Sequence, residues 1–481
     1  MAKMFWPGKT GLLAVVFLFF LVFCPGAKAS GIGGATVAPG TIRIGLAQQA
    51  AQVEFSAAGD YELYDVANQK IIAALKPGEC WRAKAEQGRI TLSGGGSGFS
   101  QSFAGPVQVR EKPVRVAVLA GNETLRNLSP GEETVVLGAE GRTAAAGRTA
   151  AVEGTPAAGE NYVLSAQGLA PLFPARGPGL ITLSNGEGNR RYRGSLELRA
   201  AAESAEGLTV INELPLEEYL YGVVPAEMPA SWPAEALKAQ AVTARSYALA
   251  QLGGYGKYGF DLLATQSSQV YKGYDWENPA TTKAVQETRG VVLTYRGRPI
   301  NAFFHSSSGG YTENSEDVWK YRLDYIRARP DPEDRNDKYY EWRVSYSQEQ
   351  LIEQLKNKGY EFKEIFDLTE RERTSTGKRV KRLAVQGLDP EGKPVTMEIP
   401  PENSSADQVR LALGLKSAFF TMQKKYEQQK LTAVTFTGNG WGHGLGMSQY
   451  GALGLARKGY SYQDILRYYY SGVTVAANYG G

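Results

Sequence analysis

The sequence predicts an α+β protein, with mixed strands and helices forming a cleft and a β-rich region ahead of them. Three observations carry that prediction. From Thr41 to about Leu92, short runs such as "TIRIGLA", "VEFSA", "YELYDV" and "GRITLS" alternate apolar and polar residues between Gly, Asn and Pro signals, as strands do. A long helix is expected from Ser231, where Leu237, Ala241, Ala244, Ala248 and Leu252 recur at helical spacing and face a core. Strands and helices then follow without regular βαβ alternation and without a solenoid or propeller repeat.

The N-terminus carries the layout of a secretory signal. Lys3 and Lys9 precede the apolar run "LLAVVFLFFLVFC", and Ala27-Lys28-Ala29 supplies a small-residue cleavage site, so residues 1–29 are expected to be removed. The run is short for a membrane span, and membrane contact is expected only if the segment is retained. Phe23 stands where a lipidation signal at Cys24 would need a small residue. Cleavage removes three lysines and no acid, lowering the formal charge from +4 to +1, a balance that does not call for nucleic acid. Cys80 is then the single cysteine, read as a buried structural thiol. With His305 and His443 as the two histidines, a zinc site is poorly supplied, and neither a metal nor another cofactor is expected.

At 481 residues the chain is expected to form two or more domains. Residues 30–135 read as a β-rich domain, and 136–160, a small-residue tract without apolar periodicity, as a linker. A second domain is expected over 161–478. It opens with strands "PGLITLS" and "RYRGSLELRA" around an Asn185-Gly186 turn. A strand, a short helix after Pro215, turns at Pro225 and Pro229 and the long helix follow, with Lys238, Val242, Arg245 and Leu249 beside its core stripe. "GVVLTY" and "INAFFHSSSGG" read as strands, 347–358 as a helix, 379–399 as a hairpin and "SADQVRLALG" as a helix. A last strand, "LTAVTFT", delivers the run "TGNGWGHGLGMSQYGALGLARKG".

In that run glycine occupies every second position from Gly438 to Gly446. An extended backbone would leave one face bare and project Asn439, Trp441 and His443 from the other. Two readings follow: another backbone packs on the bare face, or the run walls a cleft. The spacing satisfies neither G-x-G-x-x-G nor a P-loop, which sets nucleotide binding aside. A helix is expected after Ser448 and stops at Gly459, and Ser461 with Asp464 opens another.

Serine catalysis lacks a G-x-S-x-G elbow, and cysteine catalysis would rest on Cys80 alone. Glu227, in "YGVVPAEMPASW", is the better candidate. Apolar neighbours raise a carboxyl pKa, which lets one glutamate donate a proton near neutral pH and take one back. The alternative is an acid favoured by the dipole at a helix start.

"ELPLEEYLYGVVPAEMPASWPAEALKAQAVTARSYAL", "FFHSSSGGYTEN" and "TGNGWGHGLGMSQYGALGLARKGYSYQDILRYYY" together resemble the stage II sporulation protein D family, also called SpoIID/LytB. The likeness runs from about Asn212 to Val475, and three ordered motifs make it specific. It implies a peptidoglycan lytic transglycosylase that cuts glycan strands already stripped of stem peptides, outside the cytoplasm and at the cell wall. The matching positions imply Glu227 as the acid/base and Lys238, Arg245 and Ser246 as supporting residues. Thr437, Gly438, Asn439, Gly440, Trp441, His443, Gln449 and Tyr450 would line the cleft, with Trp441 packing beneath it or stacking on a sugar ring. Lys238 and Arg245 would neutralise a lactyl carboxylate or hold Glu227 ionised.

Peptidoglycan glycan strands and a cell-wall amidase are the partners implied. The competing expectation is a non-catalytic wall-binding module that enhances a separate amidase. One departure concerns metal: where some members carry zinc-binding cysteines, this chain has Ser306, Ser307 and Ser308.

Overall fold

The computed structural model describes residues 40–112 and 179–477 apart from 97, 185–187 and 337–339, together with Tyr479 and the backbone of short strands between Val116 and Pro171. The expected signal segment, the Asn185-Gly186 turn and most of the 136–160 tract lie outside the described residues. Mixed helices and strands with a β-rich N-terminal region make the protein α+β.

Two sheets form the β-rich part. One has seven strands in the order Leu262–Leu263, Thr41–Ala50, Ser204–Pro215, Ser195–Ala201, Val107–Glu111, Tyr61–Asp65 and Lys70–Leu75. The other has six, in the order Asn189–Tyr192, Leu180–Ser184, Gln52–Ala58, Trp81–Glu86, Arg89–Gly94 and Phe99–Phe103. Period-two alternation explains which residues face inward: Val53, Phe55 and Ala57 on one strand and Trp81, Ala83 and Ala85 on its neighbour are buried in one shared core. Sequence order misleads here. Ser195–Ala201 pairs with both Ser204–Pro215 and Val107–Glu111, so strands from either side of the 136–160 tract share a sheet. The tract therefore does not separate two sheet systems. Alternation announces a strand without naming its partner. Cys80, expected to be buried, is exposed.

Eight helices are described: α1 (Leu216–Glu227), α2 (Ala234–Ala250), α3 (Pro279–Glu287), α4 (Ser315–Trp319), α5 (Gln348–Lys356), α6 (Gln408–Ala412), α7 (Gln449–Arg457) and α8 (Tyr462–Tyr469). The centre is α2. It is buried nearly all round, from Ala236 and Leu237 through Gln240, Thr243 and Arg245 to Leu249, and α1, α3, α7, α8 and the strand Val292–Tyr295 pack against it. Leu252, placed in the core stripe by spacing, lies beyond the helix end and is 38% exposed. Pro225, expected at a turn, lies inside α1.

A further lobe carries two three-stranded sheets. Lys430–Asn439 runs between Glu341–Ser347 and Phe420–Glu427, and Val380–Leu388 between Glu364–Arg373 and Pro394–Ile399. Its core gathers Leu351 and Leu355 of α5, Val409 of α6, and Ile365, Val385 and Phe436. The helix read from 347 is present with a complete capping box between Ser347 and Gln350.

The glycine run leaves the strand at Asn439, and its glycines turn out to be covered. A β-carbon at Gly438 would meet the Trp342 ring at 2.4 Å, one at Gly442 the His305 side chain at 2.8 Å, one at Gly444 the Arg379 guanidinium at 2.5 Å, and one at Gly446 the Phe303 carbonyl at 2.0 Å. Of the two readings, the structure selects close packing on the protein's own chain. Ser448 then caps α7 by accepting from Gly451 N, and Ser461 caps α8 by accepting from Asp464 N.

Gly440→Ala is expected to destabilise the protein far more than Gly459→Ala. Both have positive φ, +76° and +88°, but a β-carbon at 440 would lie 2.5 Å from Gly309 N and 2.7 Å from Ser307 O, whereas at 459 it meets nothing within 4 Å. The left-handed conformation alone costs an L-residue about 1–2 kcal/mol. Chemical denaturation should show about that for Gly459→Ala and roughly 1–3 kcal/mol more for Gly440→Ala. Equal losses would contradict the packing role.

Candidate active site

Glu227 is the last residue of α1, at the helix end where the backbone dipole opposes a negative charge. It is therefore not an acid placed at a helix start. Its Oε1 accepts the Val270 N–H at 2.7 Å. Burial pushes its carboxyl up to about 7, opposed by the Val270 N–H and the charge of Lys272. A carboxyl that titrates near neutrality can serve as both acid and base.

Other elements close around it. The Gln449 amide, at the start of α7, donates to the Glu227 carbonyl at 3.1 Å and to Gln240 Oε1 of α2 at 3.3 Å. Gln240 Nε2 is buried without a hydrogen-bond partner. Tyr450 stands edge-on to Trp232 with ring centroids 5.0 Å apart, and Trp232 packs on the buried cluster of Met228, Ala236 and Leu237. Tyr450 N donates to Ser306 O, while Ser307 and Trp441 exchange backbone hydrogen bonds. The Ser306–Ser307 segment thus ties Tyr450 to Trp441, whose ring is 40% exposed with Lys416 Nζ 5.2 Å from its centroid.

The other residues expected from sequence have different work. Lys238 pairs with Glu235 at 3.1 Å and with Glu287 of α3 at 2.8 Å. Arg245, 1% exposed, grips Glu217 through two hydrogen bonds of 2.8 and 2.7 Å and donates to the carbonyls of Val285 and Val291. Ser246 Oγ donates to Val242 O and accepts the Leu293 N–H, docking a strand on α2. None of the three hydrogen-bonds to Glu227 or perturbs it. Thr437, Gly438 and Asn439 end a strand paired with Glu341–Ser347, and Gly440 O accepts Trp342 Nε1–H at 2.9 Å. His443 faces Trp319 and His305; its Nδ1 accepts the Leu445 N–H, and burial pushes it down to about 4, so the ring is neutral at pH 7.

Two of the serines that stand in for cysteine donate to buried aspartates: Ser307 Oγ reaches Asp334 at 2.7 Å and Ser308 Oγ reaches Asp331 at 2.8 Å, and Ser448 Oγ also reaches Asp334, at 2.6 Å. Burial and the neighbouring Asp334 push Asp331 up to about 7. Among the described residues no three His, Cys, Asp or Glu side chains gather as a metal-binding set. Sequence reasoning missed Asp331 and Asp334, and also Val270, Lys272, Trp232 and Gln240 beside the glutamate. The one available signal was a lysine set among aromatics in "VYKGYDW".

Fold and site together define a protein built around one glutamate of raised pKa, held at a helix end against a central alanine-rich helix. The comparisons place it more narrowly. A family model described as stage II sporulation protein matches residues 204–295, and one described as a domain of unknown function (DUF8618) matches 316–446. Stage II sporulation protein D of Bacillus subtilis (strain 168) is 32% identical over 55% of this chain and 76% of its own length, and that of Bacillus amyloliquefaciens is 33% identical over 55% and 75%. The amidase enhancer of Bacillus subtilis (strain 168) is 34% identical over 54% of this chain, a match spanning 40% of that relative. The chain belongs to the stage II sporulation protein D family.

Two predictions follow from the site. The folded-state pKa of Glu227 lies above its ordinary value of 4.5, so the native protein holds the extra proton and loses stability as pH rises from about 4.5 through 7. Glu227→Gln should therefore melt above the parent at pH 8 and converge on it at pH 4.5; a lower melting point at pH 8 would contradict the burial. For Arg245→Ala, leaving Glu217 half-buried without its partner should cost about 3–5 kcal/mol by chemical denaturation. A loss below about 1 kcal/mol would return Arg245 to the list of candidate ligand contacts.

Proposed function

We propose that the protein is a lytic transglycosylase that cuts peptide-stripped peptidoglycan strands outside the cytoplasm and leaves 1,6-anhydro-muramic acid ends. The observation that supports this reading best is a lone buried carboxyl at the end of α1: burial pushes Glu227 up to about 7, and no second carboxylate acts on it among the described residues. Ordinary glycosidases need two carboxylates, one to protonate the leaving oxygen and one to activate water or attack the sugar. A muramic acid residue carries its own nucleophile in the C6 hydroxyl. Protonated Glu227 gives its proton to the glycosidic oxygen as the bond to C1 breaks; the C6 oxygen bonds to C1, and the resulting carboxylate takes the C6 hydroxyl proton. The glutamate returns to its starting state, and no water is consumed.

Gln449 and Val270 contribute by fixing the glutamate's backbone and one carboxyl oxygen, leaving proton transfer to the rest of the group. Trp441, exposed beside the segment that holds Tyr450, offers a ring on which a sugar can stack. A cell-wall amidase that strips stem peptides would supply the substrate. The name of one relative, amidase enhancer, favours a second reading: a wall-binding module that stimulates an amidase without cutting glycan itself.

Glu227→Gln separates the two. It keeps size and hydrogen-bonding capacity but cannot transfer the proton, so release of anhydro ends from stripped strands, followed by mass analysis, should fall roughly hundredfold to ten-thousandfold with strand binding retained. Release of no anhydro ends by the parent protein, together with faster amidase turnover in its presence, would favour the enhancer reading. Near-parental turnover of the variant would move catalysis off Glu227.

A further inference from the structure

The cation that acts on Glu227 is Lys272, not the lysine and arginine of α2. Lys272 sits two residues after Val270, whose N–H holds the glutamate, and its own N–H donates to Gly222 O of α1 at 3.4 Å. The segment between is clamped. Tyr271 hydroxyl donates to Asn212 at 2.9 Å, and its ring lies where a β-carbon on Gly222 would be only 2.6 Å away. Gly273, at φ +72°, turns the chain into the single turn Tyr274–Trp276. That turn is fixed from outside by two ion pairs, Arg191 with Asp275 at 2.6 Å and Arg193 with Glu277 at 2.6 Å. Lys272 Nζ stands 3.4 Å from the centre of the Trp276 ring, and the ring is 48% exposed. Among the described residues Lys272 has no carboxylate at ion-pair distance, whereas Lys238, Arg245, Arg191 and Arg193 all do.

We propose that Lys272 and Trp276 form a subsite for a carboxylate-bearing sugar beside Glu227, and that this subsite selects glycan from which the stem peptide has been removed. The inference rests on the lytic transglycosylase reading for the identity of the strand. Its chemistry is simple. The lactyl ether of muramic acid is a carboxylate once the stem peptide is gone and an uncharged amide while the peptide is attached. An ammonium held over an indole face meets the first with a charge-assisted hydrogen bond and has no charge to meet in the second. The exposed remainder of the ring supplies an apolar surface for the sugar's C–H face. Selection for stripped strands then comes from charge.

The test is binding in the Glu227→Gln background, so that no turnover is needed. Three ligands of equal length are compared: stripped muramic acid-containing strands, the same strands with lactyl carboxyls converted to methylamides, and chitin oligosaccharides. Adding Lys272→Gln should weaken the first roughly tenfold to a hundredfold, the size of a hydrogen bond to a charged group, and leave the other two unchanged. Lys272→Arg should recover most of the loss, and Trp276→Ala should weaken all three. Equal loss on all three ligands with Lys272→Gln, or no loss on stripped strands, would overturn the subsite. Selective binding by a protein that releases no anhydro ends would instead remove the catalytic reading and leave the subsite standing.

Discussion

The structure depends on the burial of α2. A helix enclosed on nearly all sides must present small residues, and the run from Ala234 to Ala250 supplies alanine at seven of its seventeen positions, letting α1, α3, α7 and α8 approach closely. Nearly every polar group inside this shell is met by a neighbour, Gln240 Nε2 being the exception. Arg245 is the extreme case: its guanidinium is placed in the interior, where a charge is tolerated only with a well-formed partner, and Glu217 and two backbone carbonyls provide it. These bonds join α1 to α2 and reach α3 and Val291, the residue before the strand Val292–Tyr295. The orientation of α1, and hence the position of Glu227 at its end, is set by this interior.

Around that anchor the site is assembled from segments distant in the chain. Val270 reaches one carboxyl oxygen, Gln449 the backbone carbonyl, and Lys272 supplies the nearby positive charge. Gln449 is itself placed by Ser448, which caps α7 while donating to Asp334. Asp334 also accepts from Ser307 and from Gly309 N, so one buried carboxylate fixes the 307–309 turn and the start of α7 together. Asp331 adds Ser308 and Tyr469 of α8. The glycine run completes the arrangement by passing so close to Ser307, Gly309 and His305 that no side chain fits. Its glycines therefore serve the frame.

Much of the local structure was legible in the sequence. The strand alternation from Thr41, the helix starts at Ser448 and Ser461, the stop at Gly459 and the apolar surroundings of Glu227 all follow from contacts within a few residues, which a linear pattern records. Partners across the chain were not legible. Lys238, Arg245 and Ser246 lie on the helix following Glu227 and looked like its supports, yet their heads turn to Glu287, Glu217 and Leu293. Leu252 fits the helical period but falls past the helix end, and Cys80, a residue type that favours burial, stands exposed.

The sequence by itself determined the α+β class and the motifs of the family, and made Glu227 a candidate, because periodicity, capping and the apolar company of one acid are local properties. Tertiary structure alone decided which strands share a sheet across the 136–160 tract, which cation faces the glutamate, and whether the glycine face meets a ligand or the protein itself. Those outcomes depend on distances between residues tens to hundreds of positions apart. A carboxyl's acidity and a glycine's necessity are both set by what folding brings within a few ångströms, and no local pattern carries that information.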